Sequence, residues 1–312
     1  MRRMPADDDA LDRDIDLDGP VELSLTLAPF GRGRRDPTFV RRSDGVWRAT
    51  RTPDGPATIR FAGGGEAGRV HVTAWGPGAS CAIERAPGVL GAADEPRSFD
   101  PPPGLVRDIH HRHPGLRIPS SGAVFEAILP TIIEQKVTGA EAFRSYRSLV
   151  LAWGEPAPGP GRELGLRVSP HPAGLATRPY FEFHRFGIER KRATTILMAA
   201  SRAARLEETT AMDHDSARRR LCALPGVGPW TAAEVALVAL GDADAVPVGD
   251  YHFPHMVAWN LAGEPRGTDE RMLELLAPFA GHRGRALRLL TLGGAGAPRF
   301  GPRMQLRSLR SI

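Results

Sequence analysis

The sequence predicts an α+β chain, with an N-terminal antiparallel β-sheet domain followed by a larger multi-helix domain. Three observations predict it. Between residues 20 and 90, short runs alternate apolar and polar side chains and are separated by turn-forming clusters. A proline-rich stretch, FDPPPG (99–104), ends that pattern. Beyond it, apolar residues recur at three- and four-residue spacing, the period of a helix.

Residues 1–18 (MRRMPADDDALDRDIDLD) hold seven Asp and three Arg with few large apolar groups, and read as a flexible acidic tail. Residues 19–103 form the β-rich domain. Strands are expected at VELSLTL (21–27), VWRATRT (46–52), ATIRFAG (57–63) and RVHVTAW (69–75), with SDG, PDG and GGGEAG as turns. Residues 104–300 form the helical domain. AVFEAILPTIIEQ (123–135) places Phe125, Ile128, Ile132 and Ile133 on one stripe, and Pro130 is expected to kink or interrupt it. EAFRSYRSLVLAW (141–153) repeats the spacing with Phe143, Tyr146, Leu149 and Val150. GEPAPGPGRELG (154–165) reads as a loop. Further helices are expected at 188–207, 215–224, 231–241 and 270–281, and residues 301–312 read as a basic tail.

Composition excludes several classes. A chain of 312 residues with 41% hydrophobic and 25% charged content is long enough for two globular domains. No apolar run approaches the ~20 residues that span a bilayer, and the acidic start is unlike a secretory signal, so a cytoplasmic protein is expected. Two cysteines, Cys81 and Cys222, are too few for a four-cysteine cluster or a Cys-rich zinc site. The net charge is +5, and with the first 18 residues at −4 the remainder carries +9. A basic body tolerates a polyanionic partner, and 39 of the chain's 41 basic residues are arginine, well suited to phosphate. The arginine bias alone is not evidence of phosphate binding.

LPGVGPWTA (224–232) carries more chemistry. A helix ends near Leu224, a glycine turn follows, and Pro229 sits where a first helical turn accepts proline. Gly226 and Gly228 remove side chains, so that the backbone of the turn, Val227 included, can approach a ligand. Amide groups beside a helix start, near Thr231, make a phosphate cradle that grips without reading bases. The same stretch also reads as a tight turn between packed helices. About twenty residues on, GDADAVPVGDYHFP (241–254) ends in Asp250 at the entry to another helix, the place of an N-cap.

The hairpin at about 215–241 followed by this Val/Pro-rich loop and aspartate resembles the helix–hairpin–helix DNA glycosylase superfamily. EQKVTGAEAF (134–143) and FGIERKRATTILMAA (186–200) also resemble helices of that family, and the likeness covers roughly residues 113–300. Its branch of bacterial 3-methyladenine DNA glycosylase II, which has an N-terminal sheet domain, is the most similar. The resemblance implies a monofunctional enzyme of base-excision repair that flips alkylated purines out of duplex DNA and cuts the N-glycosidic bond. It implies Asp250 as the catalytic carboxylate, stabilising an oxocarbenium-like sugar and orienting water. Bifunctional relatives carry a lysine where this chain has Trp230, so no lyase activity is expected; Lys136 and Lys191, the only lysines, lie far off in sequence. Trp230 is expected to stack on the flipped base, which for an alkylated purine is cationic.

Two departures bear on the substrate. The branch often has a second aromatic one turn after the Trp, where this chain has Glu234, and a Trp near the domain's end, where it has His282. Tyr251 is a further candidate for stacking. Gln135 and Lys136 match the element that fills the gap left by the flipped base. A non-catalytic DNA-structure sensor and a glycosylase for deaminated or oxidised bases are the alternatives. The resemblance implies no organic cofactor, a monovalent cation at the hairpin carbonyls, a monomer, and localisation with the nucleoid. His110, His111 and His113 lack regular metal-ligand spacing; His252 and His255, three apart, share a helix face near Asp250, but Pro254 distorts that first turn, and no metal site is expected. GGGEAGRV (63–70) opens no helix and is discarded as a phosphate loop.

Overall fold

The computed structural model describes residues 10–298. Five antiparallel strands, β1 (Leu11–Asp16), β2 (Phe39–Arg42), β3 (Gly45–Thr52), β4 (Gly55–Gly63) and β5 (Arg69–Trp75), form one sheet in the order β1-β5-β4-β3-β2. Ten longer helices follow: α1 (Ala79–Val89), α2 (Leu105–Arg112), α3 (Val124–Glu134), α4 (Gly139–Trp153), α5 (Arg190–Ser201), α6 (His214–Cys222), α7 (Pro229–Val235), α8 (Phe253–Ala262), α9 (Asp269–Leu276) and α10 (Arg283–Gly293). The α+β architecture is the expected one. Among the described residues no helix is long and apolar enough to cross a membrane.

Several elements depart from the expectation. Residues 11–16, read as part of a flexible tail, are an edge strand. Ile15 opposite Val70 is buried, while Asp12 and Asp14 face His71 and Asp16 faces Arg69 across the sheet. The acidic residues are cross-strand partners, which composition could not show. VELSLTL is not a strand: Val21 makes one bridge to Gly65 and Leu23–Thr26 is a helical turn. Its buried positions Leu23, Thr26 and Leu27 fit helical spacing as well as alternation. The helix through Pro130 is unbroken, and every residue of it except Glu126 and Glu134 is buried. Packing on all sides holds it, overriding local propensity.

The run 188–207 divides at Arg202, and 231–241 becomes π-helical over Ala236–Leu240 before Gly241 ends it with φ +74°. Residues 154–165 are more than a loop. Glu155–Pro156 pairs with Arg167–Val168, and the segment covers Trp47, Ala49 and Trp75 on the outer face of the sheet. Helix α1 covers the inner face. Basic-tail residues 301–312 lie outside the described residues.

Charges buried between the two halves fix them together. Fully buried Arg285 of α10 pairs with Asp94, and fully buried Arg117 donates to the carbonyls of Asp18, Pro20, Gly91 and Asp94. Glu126 of α3 accepts from Arg48, Thr50 and the Arg51 amide of β3. Removing one partner of such a set leaves a buried charge uncompensated, so the contacts specify one docking.

Candidate active site

The hairpin between α6 and α7 is a close-packed turn. Gly226 has φ +89°, and a Cβ there would lie 2.2 Å from Thr195 Oγ1 on α5, so only glycine fits. Gly228 is different: its backbone is extended and nothing lies within 4 Å of where its Cβ would be. The Val227 amide donates to the Leu224 carbonyl at 2.9 Å. Among the described residues no acceptor is found for the amides of Gly226 and Gly228.

The expected contact residues around this turn divide by role. Val227 and Thr231 are buried, so their side chains hold the turn and do not present a surface. Gln135, at the end of α3, donates Nε2 to the Gly226 carbonyl at 3.0 Å and to Thr231 Oγ1 at 2.9 Å. Its amide N–H groups are thereby committed to bracing the hairpin. Lys136 beside it is exposed and has φ +56°, the one non-glycine residue with positive φ among those described. Such a backbone costs on the order of 1 kcal/mol and marks an over-determined loop. The separation of Lys136 from the hairpin in sequence is therefore not a separation in space.

The aspartate is placed by a turn and a helix start. Asp250 N donates to Pro247 O at 3.3 Å, with Gly249 at φ +93° completing the turn. Gly249 N in turn donates to the Asp269 carboxylate. Asp250 Oδ1 accepts from the amides of His252 (2.7 Å) and Phe253 (2.9 Å), capping α8. Pro254 fits the first turn of that helix, where no intrahelical partner awaits its missing N–H. The other oxygen, Oδ2, accepts from Trp230 Nε1 at 3.0 Å. One side chain thus joins hairpin and loop, and the indole fixes the orientation of the carboxylate. The spacing in the sequence could not show this bond, although it placed both residues.

Glu234, one turn after Trp230, stands among charged groups. Burial first, then Glu134 and Asp250, push its carboxyl up to about 7, against Arg32 and Arg288. Glu134, at the end of α3, is raised by burial and opposed by Arg32, whose Nε lies 3.1 Å away. Burial also lowers Arg288 to about 10. Neither Arg32 nor Glu134 was anticipated as a site residue; Arg32 comes from the segment before β2, and no motif marks it.

Tyr251 and His282 occupy different ground. Tyr251 is 78% exposed and, with Asp250, Pro254, His255, Thr268 and Asp269, lines an open cleft of about 330 Å³. His282 precedes α10, beside Phe99 (5.0 Å between rings) and Arg285, with burial and then Arg285 lowering its pKa. No contact joins it to Trp230 or Asp250 among the described residues. Among those residues no group of three or more His, Cys, Asp or Glu side chains is placed to hold a metal ion. His110 packs edge-on to Phe99, His113 meets Glu22, and His255 accepts from the Gly267 amide.

No protein-family model matches the chain. A Mycobacterium tuberculosis protein, "Probable bifunctional transcriptional activator/DNA repair enzyme AlkA", is 31% identical over 153 residues, 46% of this chain and 29% of the relative. The Bacillus subtilis "Putative DNA-3-methyladenine glycosylase YfjP" is 24% identical over 171 residues, 54% of this chain and 58% of the relative. The chain thus spans less than two thirds of either relative's length. Among solved structures, the Archaeoglobus fulgidus 3-methyladenine DNA-glycosylase superposes with a TM-score of 0.73 at 20% identity, covering 90% of this chain and 97% of that one. A Clostridium acetobutylicum 8-oxoguanine glycosylase/lyase superposes with a TM-score of 0.66 at 15% identity, covering 92% and 100%.

Proposed function

We propose, for a chain that belongs by its fold to the helix–hairpin–helix DNA glycosylase superfamily, the excision of alkylated purines from duplex DNA without strand cleavage. The observation that carries this reading is the bond between Trp230 Nε1 and Asp250 Oδ2. It sets an aromatic face and a carboxylate side by side, with the carboxylate oriented by three donors in all. The carboxylate stabilises positive charge developing on the sugar and takes a proton from the attacking water. The indole face receives a cationic alkylated base. Gly226 and Gly228 bring backbone amides to phosphate.

Support for a monofunctional enzyme is the indole at the place of the bifunctional relatives' lysine. Lys136, exposed beside the hairpin, is the amine that tests it. The protein acts as a monomer on duplex DNA, in the nucleoid, in this reading. A monovalent cation fits the hairpin, where the carbonyls of Leu224 and Gly226 each accept one hydrogen bond and keep a second lone pair. A second reading, excision of a deaminated or oxidised base, is favoured by Glu234, which offers hydrogen bonds where a second aromatic would stack.

The test measures free bases released from methylated duplex DNA by the wild type and by Asp250→Asn. Wild-type release of methylpurines, reduced 10²-fold or more in Asp250→Asn with abasic-site DNA still bound, is the expected result. Release of uracil or an oxidised purine only, from matched duplexes, selects the second reading. Borohydride should trap no protein–DNA adduct. An adduct that disappears in Lys136→Ala would overturn the monofunctional assignment.

A further inference from the structure

The apex of the turn that precedes β2, beyond Arg32, has no role in the chemistry above. We infer that this turn is a second phosphate-gripping element, in which Arg34 and Arg35 of the sheet domain hold the DNA backbone on the same edge as the hairpin. The inference rests on duplex DNA being the ligand, as proposed above.

The turn is built from its base outward. Asp36 N donates to the Gly33 carbonyl at 3.3 Å, which leaves Arg34 and Arg35 at the two central positions. Asp36 is buried and ties the base shut: its carboxylate accepts from the Arg32 amide and from the amide and hydroxyl of Thr38. Gly33, at φ +85°, lies so close to Phe143 of α4 that a Cβ would meet the ring at 2.8 Å. Arg32 donates to the Pro29 carbonyl at 2.6 Å and pairs with Glu134 of α3. The apex is thus docked on the helical half by its own neighbours.

Both apical arginines are exposed, and among the described residues neither makes a hydrogen bond or ion pair. Most arginines of the sheet domain are otherwise engaged: Arg48 with Glu126, Arg51 with Glu155, Arg69 with Asp16. Contacts run without a gap from this turn to the hairpin, through Arg32 to Glu134, along the chain to Gln135, and on to Gly226. Exposed Lys136 follows Gln135 on that path. Two guanidiniums on a fixed turn, joined through those contacts to a hairpin whose amides lack acceptors, suit a phosphate backbone, which a guanidinium can meet with paired donors.

Each phosphate neutralised contributes about −0.9 to the slope of log affinity against log salt concentration. Binding of an abasic-site duplex would be measured by fluorescence anisotropy across a salt series. The variants are Arg34→Ala with Arg35→Ala, Arg34→Lys with Arg35→Lys, and Arg13→Ala. Arg13 is exposed on β1, at the opposite edge of the sheet. The double alanine variant should give a slope shallower by about 1.8 and weaker binding by tens-fold at 100 mM salt. The lysine pair should keep the slope, and Arg13→Ala should leave it unchanged. Melting temperatures would verify that the turn variants fold. An unchanged slope in a folded double alanine variant, or an equal loss in Arg13→Ala, would overturn the inference while leaving the glycosylase reading intact. A wild type that binds no duplex overturns both.

Discussion

Two sides of one site are held in opposite ways. The hairpin and the Asp250 loop lie within residues 224–253 and are shaped by backbone: Gly226 and Gly249 at positive φ, and amides of His252 and Phe253 on the carboxylate. The adjoining side is a balance of charges, Arg32 and Glu134 against Glu234 of α7, each about a hundred residues from the next in the chain. Backbone geometry fixes where a group stands, whereas a charge balance fixes what protonation state it has. The first should respond to changes of shape and the second to changes of pH.

The largest expected effect tests the bond that joins hairpin to loop. Trp230→Phe keeps an aromatic face but removes the N–H that Asp250 Oδ2 accepts. Hydrogen bonds to charged groups contribute about 1.5–3 kcal/mol, so single-turnover base release should fall about 10- to 100-fold. Trp230→Ala, which removes the face as well, should lose more. If Trp230→Phe matches the wild type, the indole serves only to stack and the carboxylate is oriented by α8 alone.

The two hairpin glycines sharpen the same side. Gly226→Ala forces positive φ on a side chain and drives its Cβ into Thr195, so the fold should lose about 2 kcal/mol or more. Gly228→Ala meets open space and an ordinary backbone, so its stability should change little. Urea denaturation separates the two. Any effect of Gly228→Ala should instead appear as weaker binding to every duplex sequence alike, because the methyl group stands where a phosphate would approach. Equal destabilisation by both changes would show that the turn is only a packing element.

This contrast also explains what the sequence disclosed. The hairpin and its aspartate were legible because proline, glycine and their spacing act locally, and Trp230 and Asp250 do meet. The edge strand Leu11–Asp16 was not, since its acidic residues read as a tail until His71 and Arg69 stand opposite them. Gln135 was placed near DNA by its position, yet its donors brace Gly226 and Thr231, a contact between residues more than ninety apart. Arg32 and Glu134 carry no local signature at all. Only the packing of the sheet domain on α3 makes them neighbours.

The effect that vanishes in acid, and the one specific to the charge-balanced side, concerns Glu234. Its folded-state pKa of about 7 lies above the ordinary value of 4.5, with burial the first cause and Glu134 and Asp250 next. The folded protein therefore binds a proton that the unfolded chain releases between these values. Stability contributed by the protonated carboxyl is fully present below about 4.5 and declines as pH rises to about 7, beyond which it is gone. Glu234→Gln lacks this titration, so it should gain stability relative to the wild type across that window, by up to ~3 kcal/mol at pH 8. Parallel urea denaturation of both proteins from pH 5 to pH 8 reads the difference directly. A gap that grows with pH places a titrating carboxyl beside the base pocket, poised to donate a proton to a hydrogen bond in acid and to present an anion in base. A gap that stays constant would mean that Arg32 and Arg288 already hold Glu234 ionised throughout, and this side of the site would then offer any bound base a fixed negative charge.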